Sequence, residues 1–294
     1  MVDLPNYLQT QRHRIEQWLQ QLLPDQLEVS HSLFEGARYA LLGGGKYLRP
    51  ILALATAEAL GTDTERLLQP ACALELIHSY SMVHDDLPCM DDDDYRRGRP
   101  TVHKKFGEGQ AVLIGDFLLT YAFELIANAP LLKPTIKLSL IATLAHRSGG
   151  EGMIGGQMLD LAAEGKTISQ EELALLHKKK TAALITAAVE FGAILSEADV
   201  HTMNALSSFG EKIGLAFQII DDILDLTSSE AKHGRKVASD LTNHKATYAT
   251  LMGIDQAQKI ADHLYLEALD SLKLIPEDTS LLAQLANFII HRKT

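Results

Sequence analysis

The sequence predicts an all-α fold, one helical domain spanning residues 1–294, and three observations carry it. Apolar residues recur at helical spacing along most of the chain, and no run of alternating β-branched residues bounded by turns stands out. Prolines punctuate that pattern: Pro24, Pro50, Pro70, Pro130, Pro134 and Pro276 fall at or near segment ends, and none lies between 135 and 275. Many segments are rich in Ala and Leu and apolar on most sides, as central helices of a large bundle are.

Taken in order, the first helix is expected near 6–23 and stops at Pro24. The next, near 29–42, runs into Gly43–Gly45, an ordinary C-terminal cap and turn. Helices near 49–60 and 64–87 follow, the second ended by Pro88, which removes a helical hydrogen bond. The apolar segment 109–128 precedes Pro130, and 134–148 begins at Pro134. Segments 170–192, 199–226, 246–273 and 278–291 complete the set. The irregular pieces are 88–108 and 227–245, both polar, charged and Gly-containing. Each follows a helix that ends in aspartates.

A formal net charge of −11 argues against a nucleic-acid surface or an anionic membrane surface. It does not exclude small anionic substrates, because a bridging metal reverses the local sign. Cys72 and Cys89 are the two cysteines, which implies no disulfide framework and fits a reducing cytoplasm. The first 25 residues lack the apolar core of a signal peptide, and Asp116, Glu124 and Glu190 interrupt the longest apolar runs. No transmembrane segment is therefore expected.

The chemistry concentrates in two aspartate clusters. In "FQIIDDILD", Asp221 and Asp225 lie about 40° apart on one helix face, with Asp222 beside them and Gln218 one turn back. Gly210 and Gly214 below that stripe permit either tight packing or room for a ligand. In "HDDLPCMDDDD", Asp85 and Asp91 are six residues apart and could not share a face of an unbroken helix. The break at Pro88 lets a loop return Asp91 toward Asp85, while His78 and Ser81 fall on the face of Asp85. Both clusters sit at helix C-termini, where the dipole disfavours carboxylates. Two facing sets of oxygen ligands ask for a hard divalent cation, Mg²⁺ most naturally, which recruits phosphate oxygens. For Asp92–Asp94 a solvated acidic face is the simpler reading. An EF-hand does not fit, since Arg96 stands at the sixth loop position where Gly is needed.

A phosphate ligand also wants direct cations. Lys46 and Arg49 in "GGGKYLRP", Arg96 and Arg97 in "RRGRPT", Lys180 in "KKKTAAL" and Lys245 in "NHKATY" are the candidates. The glycines before Lys46 do not form a P-loop, because Ala40 and Tyr47 stand where Gly and Ser or Thr are required.

The ordered set G-G-K-x-x-R, H-D-D-x-x-x-x-D…R-R-G, G-G-Q, K-T, F-Q-x-x-D-D-x-x-D and K-x-T-Y resembles the trans-isoprenyl diphosphate synthases, with the bacterial farnesyl type nearest. Here these motifs are Gly44–Arg49, His84–Gly98, Gly155–Gln157, Lys180–Thr181, Phe217–Asp225 and Lys245–Tyr248. The resemblance implies an antiparallel bundle with a central cavity and a head-to-tail prenyltransferase, usually a homodimer, with helix 109–128 as a plausible interface. It implies that Asp85, Asp86, Asp91, Asp221 and Asp225 hold Mg²⁺, with Mn²⁺ as a substitute, on an allylic diphosphate. Arg96, Lys180 and Lys245, with Gln218 on the same stripe, complete that site; Lys46, Arg49, His78 and Arg97 hold isopentenyl diphosphate. Asp85, Asp86, Asp91, Lys180 and Asp221 are the expected catalytic set. Two departures stand out: Tyr47 where Arg is common, and "HGR" at 233–235 for L-G-K.

Product length should follow from what floors the pocket below Asp85. Tyr80 lies five residues back, roughly 7.5 Å along the helix, followed by Ser81. A bulky aromatic there resembles the farnesyl-forming enzymes and predicts a fifteen-carbon product, with geranylgeranyl diphosphate the alternative. A core Tyr packed on the next helix is the other reading of that residue. A terpenoid cyclase would not need Lys46, Arg49 and Arg97, and a non-catalytic regulatory subunit would be expected to have lost one aspartate motif.

Overall fold

The computed structural model describes residues 3–23, 31–227 and 247–292. Its first four helices are α1 (Leu4–Leu22), α2 (His31–Leu41), α3 (Leu48–Ala59) and α4 (Glu65–Asp85). A hairpin of β1 (Tyr95–Arg96) and β2 (Arg99–Pro100) follows, then α5 (Val102–Phe106), α6 (Glu108–Ala127) and α7 (Pro134–Ser148). Next come α8 (Met153–Ala163), α9 (Gln170–His177), a π-helical turn at Lys178–Ala182, α10 (Ala183–Leu195) and α11 (Val200–Thr227). The remaining helices are α12 (Tyr248–Met252), α13 (Ile254–Leu272) and α14 (Ser280–Ile290). The all-α class expected from periodicity holds.

The two most apolar inner helices form the centre. In α3 every residue from Pro50 to Ala57 is buried, and in α10 all but Ile194 are. A helix that is apolar all round must be enclosed on all sides. Accordingly α10 packs on α3, α4, α7 and α11, while α6 lies along α4 and α13 along α11. The charge inside α10 is neutralised: Arg147 of α7 donates to Glu190 at 3.0 and 2.5 Å, and Ser207 of α11 donates to it at 2.8 Å. These contacts tie three helices at one depth.

Close helix approach depends on glycine. A Cβ on Gly214 would stand 2.5 Å from Ala182 Cα, and one on Gly210 would stand 2.9 Å from Thr186 Cα. The two glycines of α11 therefore serve tight packing, not ligand space.

Three expectations about elements need correction. The segment 149–169 was expected to hold no helix, yet it contains α8. The helix expected over 246–273 is two helices broken at Gly253, whose φ of 83° is open to glycine. The helix expected over 170–192 is interrupted by the π-turn, which inserts an extra residue into the ladder. In addition, α6 is long and apolar enough to cross a membrane by length and composition, its most apolar stretch having a mean hydropathy of 1.5. In this fold it packs on α4 and α2 through Ala111, Ile114, Leu118 and Ala122. Val112 and Leu113, 40% and 62% exposed, face outward.

Candidate active site

The break after α4 does what Pro88 predicts. Helical pairing ends at Asp85, and the backbone N–H of Asp91 donates to the carbonyl of Asp85 at 2.8 Å. That bond folds the loop back and sets Asp91 beside Asp85. Asp92 follows in the left-handed region at φ 51°, its N–H tied to the Leu87 carbonyl at 3.1 Å.

The arginines follow at once because the hairpin returns them to the same place. Arg97 and Gly98 take positive φ of 52° and 74°, the conformation of a tight two-residue hairpin turn. Arg96 then grips Asp86 through Nε at 2.8 and 3.0 Å and Nη2 at 2.6 Å. This is a charge-assisted fork between side chains that are 22% and 4% exposed. Arg99 donates to the Leu42 carbonyl at 3.4 Å and lies 4.0 Å above the Tyr39 ring, so it anchors the hairpin to α2. The structure thus divides the first aspartate pair: Asp86 orients Arg96, while Asp85 lies with Asp91.

Asp85 is 6% exposed, and burial is the main reason its carboxyl is pushed up to about 6. Lys180 opposes that rise, Asp91 and Asp86 add to it, and Arg96 opposes it. Asp85 therefore lies within electrostatic reach of Lys180 across the bundle.

Lys180 is held by three devices. It sits in the π-turn, its Nζ pairs with Asp160 of α8 at 2.5 Å, and the turn's backbone lies against Gly156. A Cβ on Gly156 would stand 2.2 Å from Lys180 N, so the second glycine of G-G-Q lets α8 touch the turn, while Gly155 lies against Gly150. Gly156→Ala should cost about 1–3 kcal/mol of stability by overpacking and also lower turnover, since Lys180 moves with the turn. Denaturant melts and kcat measured on the same preparation check both.

The second cluster is built around Asp222, which is 3% exposed. It accepts Gln218 Nε2 at 3.0 Å and the Tyr248 N–H at 3.1 Å, pinning α11 to the start of α12. Gln218 in turn accepts the Thr181 hydroxyl at 2.7 Å, which links the cluster to the Lys180 turn. His177 lies 5.6 Å from the Tyr248 ring at a tilt of 39°, and burial pulls its imidazole down to about 4, so it is neutral near pH 7. Asp221 is 39% exposed and pairs with Arg292, and Asp225 lies in the next turn. Lys245 and Arg235 lie outside the described residues.

The four residues expected at the other diphosphate come together. Burial, then Arg49, Arg97 and Arg96, hold His78 well below the ordinary imidazole range. Burial also lowers Arg49 and Lys46; Arg97 presses on both, and Arg292 presses on Lys46. Glu75 of α4, 3% exposed, is their buried counter-ion: burial raises it, and Arg49 and Arg97 lower it. A cavity of about 60 Å³ opens beside two of them, His78 and Arg97, and is lined also by Tyr39, Met82, Asp86 and Arg96 among others. Such a concentration of cations is costly without an anion. Tyr47 takes no part: it is 2% exposed, and its hydroxyl donates to the Leu41 carbonyl at 3.1 Å.

Tyr80 is 5% exposed and meets the His84 ring edge-on at 5.8 Å. Its hydroxyl is buried with no hydrogen-bond partner among the described residues, and its ionisation is opposed first by burial and then by Asp85. Ser81 donates to the His78 carbonyl at 2.9 Å.

A family model described as polyprenyl synthetase matches residues 30–278. The chain belongs to the polyprenyl synthetase family. It is 45% identical to farnesyl diphosphate synthase of Haemophilus influenzae, over 98% of each chain. It is 42% identical to geranylgeranyl diphosphate synthase of Cyanophora paradoxa, over 99% of this chain and 97% of that one. Among solved structures it resembles a Helicobacter pylori geranyltransferase complexed with magnesium and isoprenyl diphosphate, with a TM-score of 0.87 and 35% identity. The alignment covers 99% of this chain and 97% of that one.

For this polyprenyl synthetase family member, sequence reasoning missed four supporting residues: Glu75, Asp160, His177 and Arg292. Asp160 had a signal, standing three residues after the quoted G-G-Q. Arg292 had none, being 71 residues from its partner Asp221. Asp92–Asp94 act as support: the Asp93 carbonyl accepts the Thr101 hydroxyl at 2.8 Å, and Lys104 pairs with Asp94 at 2.7 Å. Ligand atoms of Asp92, Asp94 and buried His103 also lie within 4.8 Å of one another.

Oxygen donors at Asp85 and Asp91 suit a hard divalent ion, and burial and the neighbouring Asp91 and Asp86 charges disfavour an unneutralised carboxylate at Asp85. At the second cluster Asp222 is engaged by Gln218 and the Tyr248 N–H, while Asp221 pairs with Arg292.

Proposed function

We propose that the chain is a farnesyl diphosphate synthase, condensing isopentenyl diphosphate with dimethylallyl and then geranyl diphosphate. One observation carries the reading: the site offers two anion-binding regions of different character. Asp85, Asp91 and Lys180 form one, rich in carboxylates, and Lys46, Arg49, His78 and Arg97 form the other, in which cations predominate over buried Glu75 and the nearby Asp221. An enzyme that ionises one diphosphate and merely holds another needs that asymmetry.

Asp85, Asp86, Asp91, Asp221 and Asp225 are assigned to the metal region, Asp86 acting through Arg96. Mg²⁺ is the ion, with Mn²⁺ as a substitute, and the magnesium of the similar Helicobacter pylori complex supports this. When bound, it neutralises charge gathering on the leaving diphosphate. Lys180 and Arg96, with Lys245 and the amide of Gln218, meet the same charge directly, which favours the ionised state over the ester. The allylic carbon–oxygen bond breaks, and its electron pair leaves with the diphosphate. Lys46, Arg49, Arg97 and His78 hold the second diphosphate so that its double bond reaches the allylic carbon. A new carbon–carbon bond forms, and the proton lost from the neighbouring carbon goes to the departed diphosphate. The apolar helices around the cavity keep out water that would quench the cation.

Incubating purified protein with Mg²⁺, isopentenyl diphosphate and dimethylallyl or geranyl diphosphate, then sizing the dephosphorylated products, tests the proposal. A fifteen-carbon alcohol is expected; no elongation, or elongation indifferent to chelator, overturns it. We further assign residues 1–294 to one domain acting in the cytoplasm as a homodimer, with the outward apolar face of α6 at Val112 and Leu113 as the contact.

A pH dependence follows from Asp85. Its folded-state pKa, raised by burial to about 6, exceeds the ordinary carboxylate value of about 4. Its contribution to stability is therefore fully present below pH about 4 and is lost as pH rises through about 6. A divalent ion binds the ionised form and reverses that loss. Saturating Mg²⁺ should raise Tm at pH about 7.5 and have little effect at pH about 5, and Asp85→Asn should flatten the difference. Thermal melts across that range check it.

A further inference from the structure

Arg292, two residues beyond α14, carries more interactions than a surface arginine needs. Its Nη2 donates to Asp221 Oδ1 and, at 3.3 Å, to the Phe217 carbonyl, and its guanidinium lies 3.9 Å over the Phe217 ring. The arginine side chain is only 9% exposed, whereas Asp221 keeps 39%. One buried cation, delivered by the segment after the last helix, therefore stands on the aspartate assigned to the metal. Lys46 and Arg49 lie within electrostatic reach of that same carboxylate.

We propose that Arg292 is a resident counter-ion of the metal-free site, displaced from Asp221 when a divalent ion binds there. This rests on the metal reading of Asp221. The physical reasoning is an exchange. Without metal, leaving the 9% exposed guanidinium unpaired would be costly, and Asp221 removes that cost. A dication at the same carboxylate repels a guanidinium in hydrogen-bond contact with it, and the hydrogen bond and the metal compete for oxygen lone pairs. The grip is suited to release: one nitrogen on one carboxylate oxygen, without the two-pronged fork that Arg96 makes on Asp86. Phe217 holds the arginine close by stacking, so the chain end is parked and does not have to find the site anew. Because binding energies are reciprocal, metal at Asp221 must loosen the segment after α14 by as much as Arg292 weakens the metal.

The test is a Mn²⁺ titration read by electron paramagnetic resonance on the full chain without substrate. Arg292→Gln should bind Mn²⁺ about tenfold more tightly at one site, and Arg292→Lys, which keeps the charge but loses the stacking plane, should fall between. In an Asp221→Asn background the Arg292 substitution should change nothing. Hydrogen exchange at 287–292 should quicken when Mn²⁺ is added to the unsubstituted protein. Unchanged or weaker Mn²⁺ binding by Arg292→Gln overturns the displacement while leaving the metal reading intact. Failure of the unsubstituted protein to bind Mn²⁺ overturns both, and unaltered thermal melts of the variants show that the fold is not the cause.

Discussion

Asp85→Asn should lower kcat by about a thousandfold, some 4 kcal/mol of barrier, while leaving the protein as stable at neutral pH or slightly more so. The two halves of this expectation have one cause. Asp85 is 6% exposed, and burial together with Asp91 and Asp86 disfavours its charge, with Lys180 and Arg96 only in part compensating. On the proposed reading, the cost of that charge is offset by the ion it would bind. Asparagine keeps the shape and one oxygen, and removes both the unfavourable charge and the strong metal donor. Asp86→Asn should behave differently, since it breaks the fork to Arg96 and releases the hairpin, so KM should rise along with the fall in kcat. Paired measurements of Tm, kcat and KM on the two variants separate the roles. Asp85→Asn with near-normal kcat would remove Asp85 from the mechanism.

Tyr80→Ala should shift the product from fifteen carbons toward twenty and beyond. The buried ring sits roughly 7.5 Å below Asp85 along α4, where a growing chain pointing inward from the diphosphate would meet it. Its hydroxyl is buried with no hydrogen-bond partner among the described residues, which is unusual for a tyrosine chosen only for packing, where phenylalanine would serve better. Truncation should also cost about 3–5 kcal/mol through the cavity it leaves, so product sizing has to be done well below the variant's Tm. Tyr80→Phe is the control: product length unchanged and stability equal or improved. An unchanged product from the alanine variant would reduce Tyr80 to a core residue packed on His84.

Much of this was legible in the sequence because it is local. Helix period, proline punctuation and the return of Asp91 past Pro88 depend on a few neighbouring residues. Support from a distance was harder to read, even where a nearby motif marked it. Asp160 reaches Lys180 from a helix whose first turns are Gly-rich and whose formation owes more to packing against the π-turn than to propensity. Glu75 reads as one more charge in α4 until the cations of α3 and the hairpin are folded over it. The division of labour between Asp221 and Asp222 was likewise unreadable, since it turns on the Tyr248 amide across a segment of 25 intervening residues. Asp222, the more buried of the two, spends its oxygens on the fold.

The π-turn at Lys178–Ala182 has a consequence for how the charge at Lys180 is located. On one side Gly156 of α8 rests against the backbone of Lys180, and on the other Gly214 of α11 rests against Ala182. Main chain meets main chain at both faces, with no flexible side chain between to act as a spring. The lysine's root is thus held like a shaft between two bearings, and play elsewhere in the bundle does not reach it. Retuning the pocket by substitution in α4 should leave that fixed point undisturbed, whereas any bulk added at either glycine would throw it out of true.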